Sequence, residues 1–222
     1  MKTYKEYLIK WIKSEVNRIG AKGVVVGLSG GIDSAVVAAL GKEAFPDDSI
    51  GIWMGINSNE VAHTNAINFA KRIDLSFNDF NLEKSFNKYL QDINLIQFEN
   101  ANNFDESKGN IKARLRMTTL YGYSKIMDYL VLGTSNRDEV FMGYFTKWGD
   151  GSADIYPIIK LSKNEVYELA KVLKVDQEII KATPSADLKE NQSDEEDMGV
   201  TYKQIDMYIK NTLKDSNAIN II

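Results

Sequence analysis

The feature that most constrains the fold is a glycine-rich turn between an apolar, β-branched run and a helical pattern. Val24-Val25-Val26 predicts a short buried strand, and residues 34–45 predict the helix that follows the turn. The turn consists of Gly27, Leu28, Ser29, Gly30, Gly31, Ile32, Asp33 and Ser34. A strand, a glycine turn and a helix form the first half of a βαβ unit, so this segment predicts a parallel sheet.

The rest of the chain continues the alternation of strand and helix patterns. Further strands are predicted at residues 49–56, 76–80 and 129–132. Helices are predicted at residues 4–19, 59–73, 111–127 and 163–174, and after Thr201. Ser162 and Thr201 each begin a capping-box pattern. The alternation predicts an α/β fold with a doubly wound parallel sheet, formed by one domain over residues 1–222.

Two polar segments interrupt these patterns. Residues 94–109 are rich in Asn and predict a long mobile loop. Residues 187–197 are acidic and predict a solvated loop, and a lid over an active site is the alternative interpretation. The only histidine, His63, is expected to be a solvated side chain of the second predicted helix after the glycine turn.

Composition excludes several classes of function. The chain has no Cys, which excludes disulfides, thiolate metal sites and thiol nucleophiles, and suits a reducing cytoplasm. A net charge of -4 gives no reason to expect nucleic-acid binding. No segment approaches the roughly 20 apolar residues that span a bilayer, so no membrane partner is expected. A cytoplasmic enzyme that acts on small molecules is the expectation.

The glycine turn has the chemistry of an anion site. Glycines let the backbone approach an anion, and the N–H groups at the start of the helix point towards it. Ser29 and Ser34 add hydroxyl groups. The turn lacks the lysine of a Walker loop, and Asp33 beside a polyphosphate would be repulsive without a cation between them, which implies Mg²⁺. The alternative is an ordinary glycine turn with a helix cap.

Two later segments carry further candidates. Residues 133–139 follow the predicted strand at 129–132, and loops after parallel strands share one edge of the sheet, so Glu139 is expected to meet Asp33 across one metal ion. The alternative is a surface helix start whose acids complement the helix dipole. Residues 145–154 contain Lys147 and Asp154 in a glycine-bearing loop, for which an ordinary connection is the alternative.

These motifs resemble those of a known family. Ser29 to Ser34 resembles the pyrophosphate-binding loop of the ATP pyrophosphatase superfamily, whose members cleave ATP between the α and β phosphates. The ordered series of motifs is similar to that of the NAD synthetases: residues 110–117, 133–139, 145–154 and 183–188. The resemblance implies a Rossmann-like fold of the adenine nucleotide alpha-hydrolase-like type.

The resemblance also implies a role for each matching residue. Asp33 and Lys163 would be catalytic, and Asp33 and Glu139 would hold Mg²⁺. ATP would be bound by the glycine turn with Thr134, Lys163 and Ser185. Deamido-NAD would be bound by Arg114, Lys147 and Asp154. The family's basic C-terminal segment has no counterpart in residues 210–222.

The expected function is therefore ATP-dependent amidation of deamido-NAD by ammonia, through a nicotinate adenylate, by a homodimer. Free ammonia is expected as the nitrogen donor because glutaminase domains generally need an activated thiol or an N-terminal nucleophile. Two alternatives remain open at this point. One is another enzyme of the superfamily, for example a tRNA-thiolating or GMP-forming enzyme, which would want catalytic Cys residues or a basic RNA-binding face. The other is a nucleotide-binding sensor without turnover.

Overall fold

In the part of the chain that the structure describes, four parallel strands form the central sheet, in the order β3-β2-β1-β4. A computed structural model describes residues 1–188 and 192–222. The strands are β1 Gly23–Gly27, β2 Ser49–Gly55, β3 Ser76–Asn81 and β4 Tyr129–Leu132. Val25 of β1 lies opposite Ile50 of β2 and Val131 of β4. All four carboxyl ends therefore point to one edge of the sheet, and the strand order reverses between β1 and β4, the point where ligands bind in such folds.

Helices connect and flank the strands, and a 3₁₀ turn lies at Leu95–Phe98. The helices are α1 Lys2–Ile19, α2 Ile32–Ala44, α3 Glu60–Arg72, α4 Glu83–Asp92, α5 Phe104–Met127, α6 Arg137–Met142, α7 Lys163–Val172, α8 Gln177–Lys181, α9 Asp194–Met198, α10 Tyr202–Ile209 and α11 Ser216–Ile221. Among residues 1–188 and 192–222, none of the helices is long and apolar enough to cross a membrane.

Alternating strand side chains bury against helices on both faces of the sheet. Val24 and Val26 of β1 join the larger apolar core, with α1, α2, α3 and α7. Val25 belongs to a second core with Val131 and apolar side chains of α5. Successive strand residues point to opposite faces, so each strand contributes to both cores. The predicted doubly wound α/β class is confirmed.

Several predicted helix ends are confirmed by their caps. Gly20 ends α1 in the left-handed conformation, with a φ of 79°. Reciprocal capping boxes begin α7 at Ser162 and α10 at Thr201, where the residue three positions on bonds back to each cap. Asn59 accepts hydrogen bonds from two backbone N–H groups of α3. The local sequence signals therefore fix where these helices begin or end.

The prediction of a long loop at residues 94–109 was wrong. The 3₁₀ turn occupies part of this segment, and α5 begins at Phe104. Asp105 and Glu106 lie in the first turn of α5, where negative charge complements the helix dipole. Asn favours turns over helix interiors, so the Asn-rich composition did not indicate that the helix begins this early.

The prediction of a solvated loop at residues 187–197 was also wrong for part of the segment. Residues 194–198 form α9, and Asp194 is only 4% exposed. Residues 189–191 lie outside the described residues, so this part of the predicted loop has no structural account. An acidic composition is usual for a solvated face, and the buried position of Asp194 depends on distant partners that a local pattern does not contain.

The glycine turn rests directly on the first turn of α3. Gly30 has a φ of 77°, which an L side chain rarely adopts. A Cβ atom at Gly30 would also overlap the backbone carbonyl of Ala62. Both constraints require glycine at this position, and together they hold the turn against the helix that follows β2.

We predict that Gly30→Ala lowers the free energy of unfolding by about 1–3 kcal/mol, because the new methyl group meets backbone and the φ is strained. Chemical denaturation measures the change. Gly122→Ala is the matched control: a Cβ there meets nothing within 4 Å. As Gly122 lies inside α5, the control should raise stability by roughly 0.5–1 kcal/mol. Equal effects of the two substitutions would contradict the steric argument.

Candidate active site

A cavity of about 790 Å³ opens at the carboxyl edge of the sheet. Its floor is the glycine turn and the loop that follows β4. Its walls are the end of β2, the start of α3, residues 182–188 and one face of α5. The α5 face consists of Ala113, Arg116, Met117 and Leu120. The cavity therefore lies at the topological switch point, where two loops leave neighbouring strands in opposite directions.

The glycine turn is held in shape by its own hydroxyl groups. The Ser34 hydroxyl donates to the carbonyl of Gly31 at 2.9 Å and accepts from the backbone N–H of Ser29 at 3.1 Å. The Ser29 and Ser34 oxygens lie 3.1 Å apart. Gly31 is the N-cap of α2 and has no side chain to occupy the first N–H groups of the helix. The start of α2 therefore remains open to an anion in the cavity.

One buried ammonium group joins the two loops. The Nζ atom of Lys163 lies 2.5 Å from Oδ2 of Asp33 and 3.6 Å from Oε1 of Glu139. The Lys163 side chain is only 3% exposed. The Nδ2 group of Asn136 donates to the other oxygen of Asp33 at 3.1 Å. The structure thus brings Asp33, Glu139 and Lys163, named from separate motifs, into one cluster that lines the cavity.

Short helices aim these side chains. Asn136 and Glu139 form a capping box at the start of α6, in which Oε2 of Glu139 accepts from the backbone N–H of Asn136 at 3.1 Å. Its other oxygen is the one that faces Lys163. The buried carboxylate of Asp138 accepts from the backbone N–H of Lys163 at 2.8 Å. Asp138 therefore fixes the first residue of α7 relative to α6.

The charges of the cluster are unbalanced. Burial and the charge of Asp33 raise the pKa of Glu139 to about 8, although Lys163 opposes the shift. Burial alone would lower the pKa of Lys163, but the two carboxylates outweigh it and hold that pKa above its usual value. Lys163 therefore stays charged, but it does not offset the burial of Glu139, whose carboxyl group binds a proton at neutral pH when no other cation is near. The site favours a further cation.

The donor set of the cluster suits Mg²⁺. Mg²⁺ binds one or two carboxylates and completes its shell with phosphate oxygens and water. Asp33 and Glu139 offer two carboxylates beside the open start of α2. In the described part of the chain, no group of three or more His, Asp or Glu side chains is arranged to hold a metal by itself. The remaining ligands of a Mg²⁺ ion here would have to come from a bound phosphate or from water.

Comparison with known proteins assigns the family. The model of the family described as NAD synthase matches residues 4–221. The chain belongs to this family. An NH(3)-dependent NAD(+) synthetase of Mesoplasma florum is 44% identical over 98% of this chain and 88% of its own length. A second, from Alkaliphilus oremlandii, is 40% identical over 98% of this chain and 88% of its own length. NAD synthases are ligases that form a carbon–nitrogen bond, so the chain is an enzyme of that class.

Solved structures agree on the fold. The NMN synthetase of Francisella tularensis matches with a TM-score of 0.91 and 33% identity, over 99% of this chain and 90% of that chain. The NH3-dependent NAD synthetase of Campylobacter jejuni matches with a TM-score of 0.79 and 31% identity, over 99% of this chain and 90% of that chain. The adenine nucleotide alpha-hydrolase-like fold expected from the NAD synthase motifs is confirmed.

The residues expected to bind ATP all line the NAD synthase cavity. Thr134 lies in the loop after β4, and Ser185 lies in the wall formed by residues 182–188. The Ser185 hydroxyl accepts from the backbone N–H of Asp187 at 3.2 Å. The turn, Thr134, Lys163 and Ser185 therefore surround one space of suitable size for a nucleotide.

The residues expected to bind deamido-NAD lie outside that lining. Arg114 is exposed on α5 and donates to the backbone carbonyl of Lys147 at 3.1 Å. Two of the three residues are therefore in contact. Asp154 is engaged within the fold, since it accepts from the N–H of Val131 at 2.7 Å and from the Tyr121 hydroxyl at 3.2 Å. Burial, and then Asp154, raise the pKa of Tyr121 to about 12, so this hydroxyl stays a donor.

Sequence analysis missed three side chains at the site. Arg116 donates to the carbonyl of Met54, to Ser58 and to Asp187, each at 3.1 Å, and so joins three walls of the cavity. Tyr202 and Asp194 contact the charged cluster. Arg116 stood inside a motif that resembles the family, and Tyr202 stood in a predicted capping box, but neither pattern indicates a long-range partner.

The prediction that His63 is solvated was wrong in part. Its Nε2 lies 2.7 Å from Oδ2 of Asp79, and its ring stacks on Trp53 at 4.8 Å between centroids. The side chain is 36% exposed, so the histidine is half-buried. Trp53 lines the cavity, which makes His63 a support for the wall.

We predict that Glu139→Gln gains stability relative to the parent chain as pH rises from about 5 to about 8.5 in metal-free buffer. The pKa of Glu139 is raised in the folded state from its ordinary 4.5 to about 8. The unfolded chain therefore releases this proton first, and the parent chain loses stability across that window. Gln cannot ionise. Denaturation at several pH values measures the difference, and Glu168→Gln on the exposed side of α7 is the control. Parallel curves for Glu139→Gln and the parent would contradict the assignment.

Proposed function

We propose that this protein makes NAD from deamido-NAD, ATP and ammonia, and releases AMP and pyrophosphate. One observation carries the proposal: the buried Lys163 ammonium joins Asp33 and Glu139 beside the open start of α2, in a member of the NAD synthase family. A site of this kind can hold a polyphosphate and neutralise it as it leaves. The curated relatives are named for the same activity.

The first chemical step is formation of the adenylate. An oxygen of the nicotinate carboxylate attacks the α phosphorus of ATP, a new P–O bond forms, and the bond to the β phosphate breaks with release of pyrophosphate. The glycine turn would hold the phosphates through the N–H groups at the start of α2. Lys163 would place its positive charge on the leaving group. Mg²⁺ held by Asp33 and Glu139 would supply further charge neutralisation.

The second step is displacement of AMP. Ammonia attacks the acyl carbon of the adenylate, the C–N bond forms, AMP leaves with the former carboxylate oxygen, and one proton passes to solvent. Ammonia is already a nucleophile when it is unprotonated, so no covalent intermediate with a side chain is needed. The absence of Cys in the sequence agrees with free ammonia as the donor.

The dinucleotide is proposed to bind beside the ATP cavity, along α5. Arg114 and Lys147 are exposed cations joined by the hydrogen bond between them, and they suit the anionic groups of deamido-NAD. Asp154 would act there through Tyr121. Because α5 lines the ATP cavity with its adjacent face, a substrate on this side would present its carboxylate to the cavity.

A second candidate substrate is the mononucleotide, nicotinate mononucleotide. The structure with the TM-score of 0.91 is called an NMN synthetase, whereas the Campylobacter jejuni NAD synthetase gives 0.79. The chemistry at the carboxylate would be the same for both substrates. They differ in the second nucleotide, which only deamido-NAD offers to Arg114 and Lys147.

Further parts of the proposal are a homodimer, a cytoplasmic location and one domain over residues 1–222. Exposed apolar side chains on and near α5 support a homodimer. Ile126 on α5 is 87% exposed and Phe98 in the preceding 3₁₀ turn is 55% exposed. Large apolar side chains exposed at both ends of one long helix suit a partner chain that packs along it.

We predict that the purified protein forms NAD from deamido-NAD, ATP and ammonium, with one AMP for each NAD. The rate should rise with pH as unprotonated ammonia accumulates, and glutamine freed of ammonia should give no more NAD than a nitrogen-free control. Chromatography of the products measures both nucleotides. A faster reaction with nicotinate mononucleotide would favour the second candidate. If the protein binds ATP but releases neither AMP nor NAD, it acts as a sensor and the proposal is wrong.

We predict that Lys147→Ala raises the KM for deamido-NAD about tenfold and leaves the KM for ATP nearly unchanged, because a lost charge–phosphate contact is worth roughly 1.5 kcal/mol. Lys160→Ala removes an exposed lysine away from the cavity lining and is the control. Initial-rate titrations of each substrate provide the values. A rise in the KM for ATP alone would show that the two substrates have been assigned to the wrong sites.

A further inference from the structure

Tyr202 contacts every member of the charged cluster except Asp33. Its ring centroid lies 4.7 Å from Nζ of Lys163. Its hydroxyl donates to Oδ2 of Asp194 at 2.9 Å and lies 3.4 Å from Oε1 of Glu139. The side chain is 5% exposed. One residue therefore presents an aromatic face to the ammonium and a hydroxyl to two carboxylates.

Contacts with α9 and α10 hold Tyr202 in place. It is the first residue of α10, directly after the Thr201 capping box. Its N–H donates to Oε1 of Glu195 in α9 at 2.9 Å. Its ring packs in an apolar cluster with Met198 and Ile205. A side chain held in this way has little freedom, so it can hold its partners in turn.

The chemistry of the two ends matches their partners. A buried ammonium has three N–H groups, and two carboxylates leave part of it to be covered by another favourable surface. The π face of a tyrosine provides that surface when the cation is desolvated. Burial, together with the charges of Glu139 and Asp194, raises the pKa of Tyr202 above its usual value, so the hydroxyl stays a donor.

We propose that Tyr202 is a positioning residue for the adenylation step: its ring holds the Lys163 ammonium at Asp33, and its hydroxyl orders the Glu139 and Asp194 carboxylates. The inference rests on the proposed function, since it assigns Lys163 and Glu139 to the ATP phosphates. It gives α10 a part in the site, in addition to the parts of the glycine turn, α6 and α7. Displacement of Lys163 would then slow chemistry more than it weakens binding of deamido-NAD.

The test compares Tyr202→Phe, Tyr202→Leu and the control Tyr208→Phe, which removes the same atom from the same helix where the ring packs on Phe141. Tyr202→Phe keeps the ring and should lower kcat about tenfold through loss of a hydrogen bond to charged groups. Tyr202→Leu also loses the ring and should lower kcat by up to about 100-fold. Both should leave the KM for deamido-NAD within roughly twofold, and thermal unfolding of each variant and of the control gives the folded fraction by which kcat is corrected.

The outcomes separate this inference from the function on which it rests. An inactive parent chain would overturn both. An active parent with a Tyr202→Phe kcat within about twofold of Tyr208→Phe would overturn the positioning role alone. A loss in Tyr202→Phe that disappears once activity is corrected for the folded fraction would also overturn it, because the side chain would then be only structural. A kcat that falls from the parent to Tyr202→Phe and again to Tyr202→Leu, at constant KM, supports it.

Discussion

The burial of one ammonium group among carboxylates is the interaction on which the site depends. Lys163 is carried by α7, Asp33 by α2 and Glu139 by α6. Lys163 and Asp33 are 130 residues apart in sequence, yet the three side chains meet at one place. Removing one partner of such a group leaves an uncompensated buried charge, which is strongly destabilising. The cluster therefore couples the integrity of the fold to the arrangement of the phosphate site.

The parallel sheet makes this convergence possible. The glycine turn follows β1 and the loop of Asn136 follows β4, and the register of these two adjacent strands brings their carboxyl ends side by side. Nothing in the segments between them needs to contact the site for this to hold. The backbone N–H of Lys163 donates a buried hydrogen bond to Asp138, which fixes α7 to α6. The electrostatic cluster thus has a hydrogen-bonded backbone frame on the side away from the cavity.

Most of the fold could be predicted from the sequence because its signals are local. The capping patterns at Ser162 and Thr201, the β-branched run of β1 and the glycine at position 20 each report the conformation of their own segment. The start of α5 was predicted wrongly because its Asn-rich composition favours a loop. The burial of Asp194 was not predicted because its partners, Tyr144 and Tyr202, belong to other segments. The motif series gave the family and its candidate residues. It did not give Tyr202 or Arg116, whose importance lies in contacts across many residues of sequence.

The contact between Gly30 and the carbonyl of Ala62 has a mechanical consequence. The glycine turn lies against the first turn of α3, backbone against backbone and without a side chain between them, and both line the cavity. Such a contact has almost no compliance, so a shift of α3 on its neighbours moves the turn with it. A substrate of different size would then have to be accommodated by other walls of the cavity, among them the face of α5.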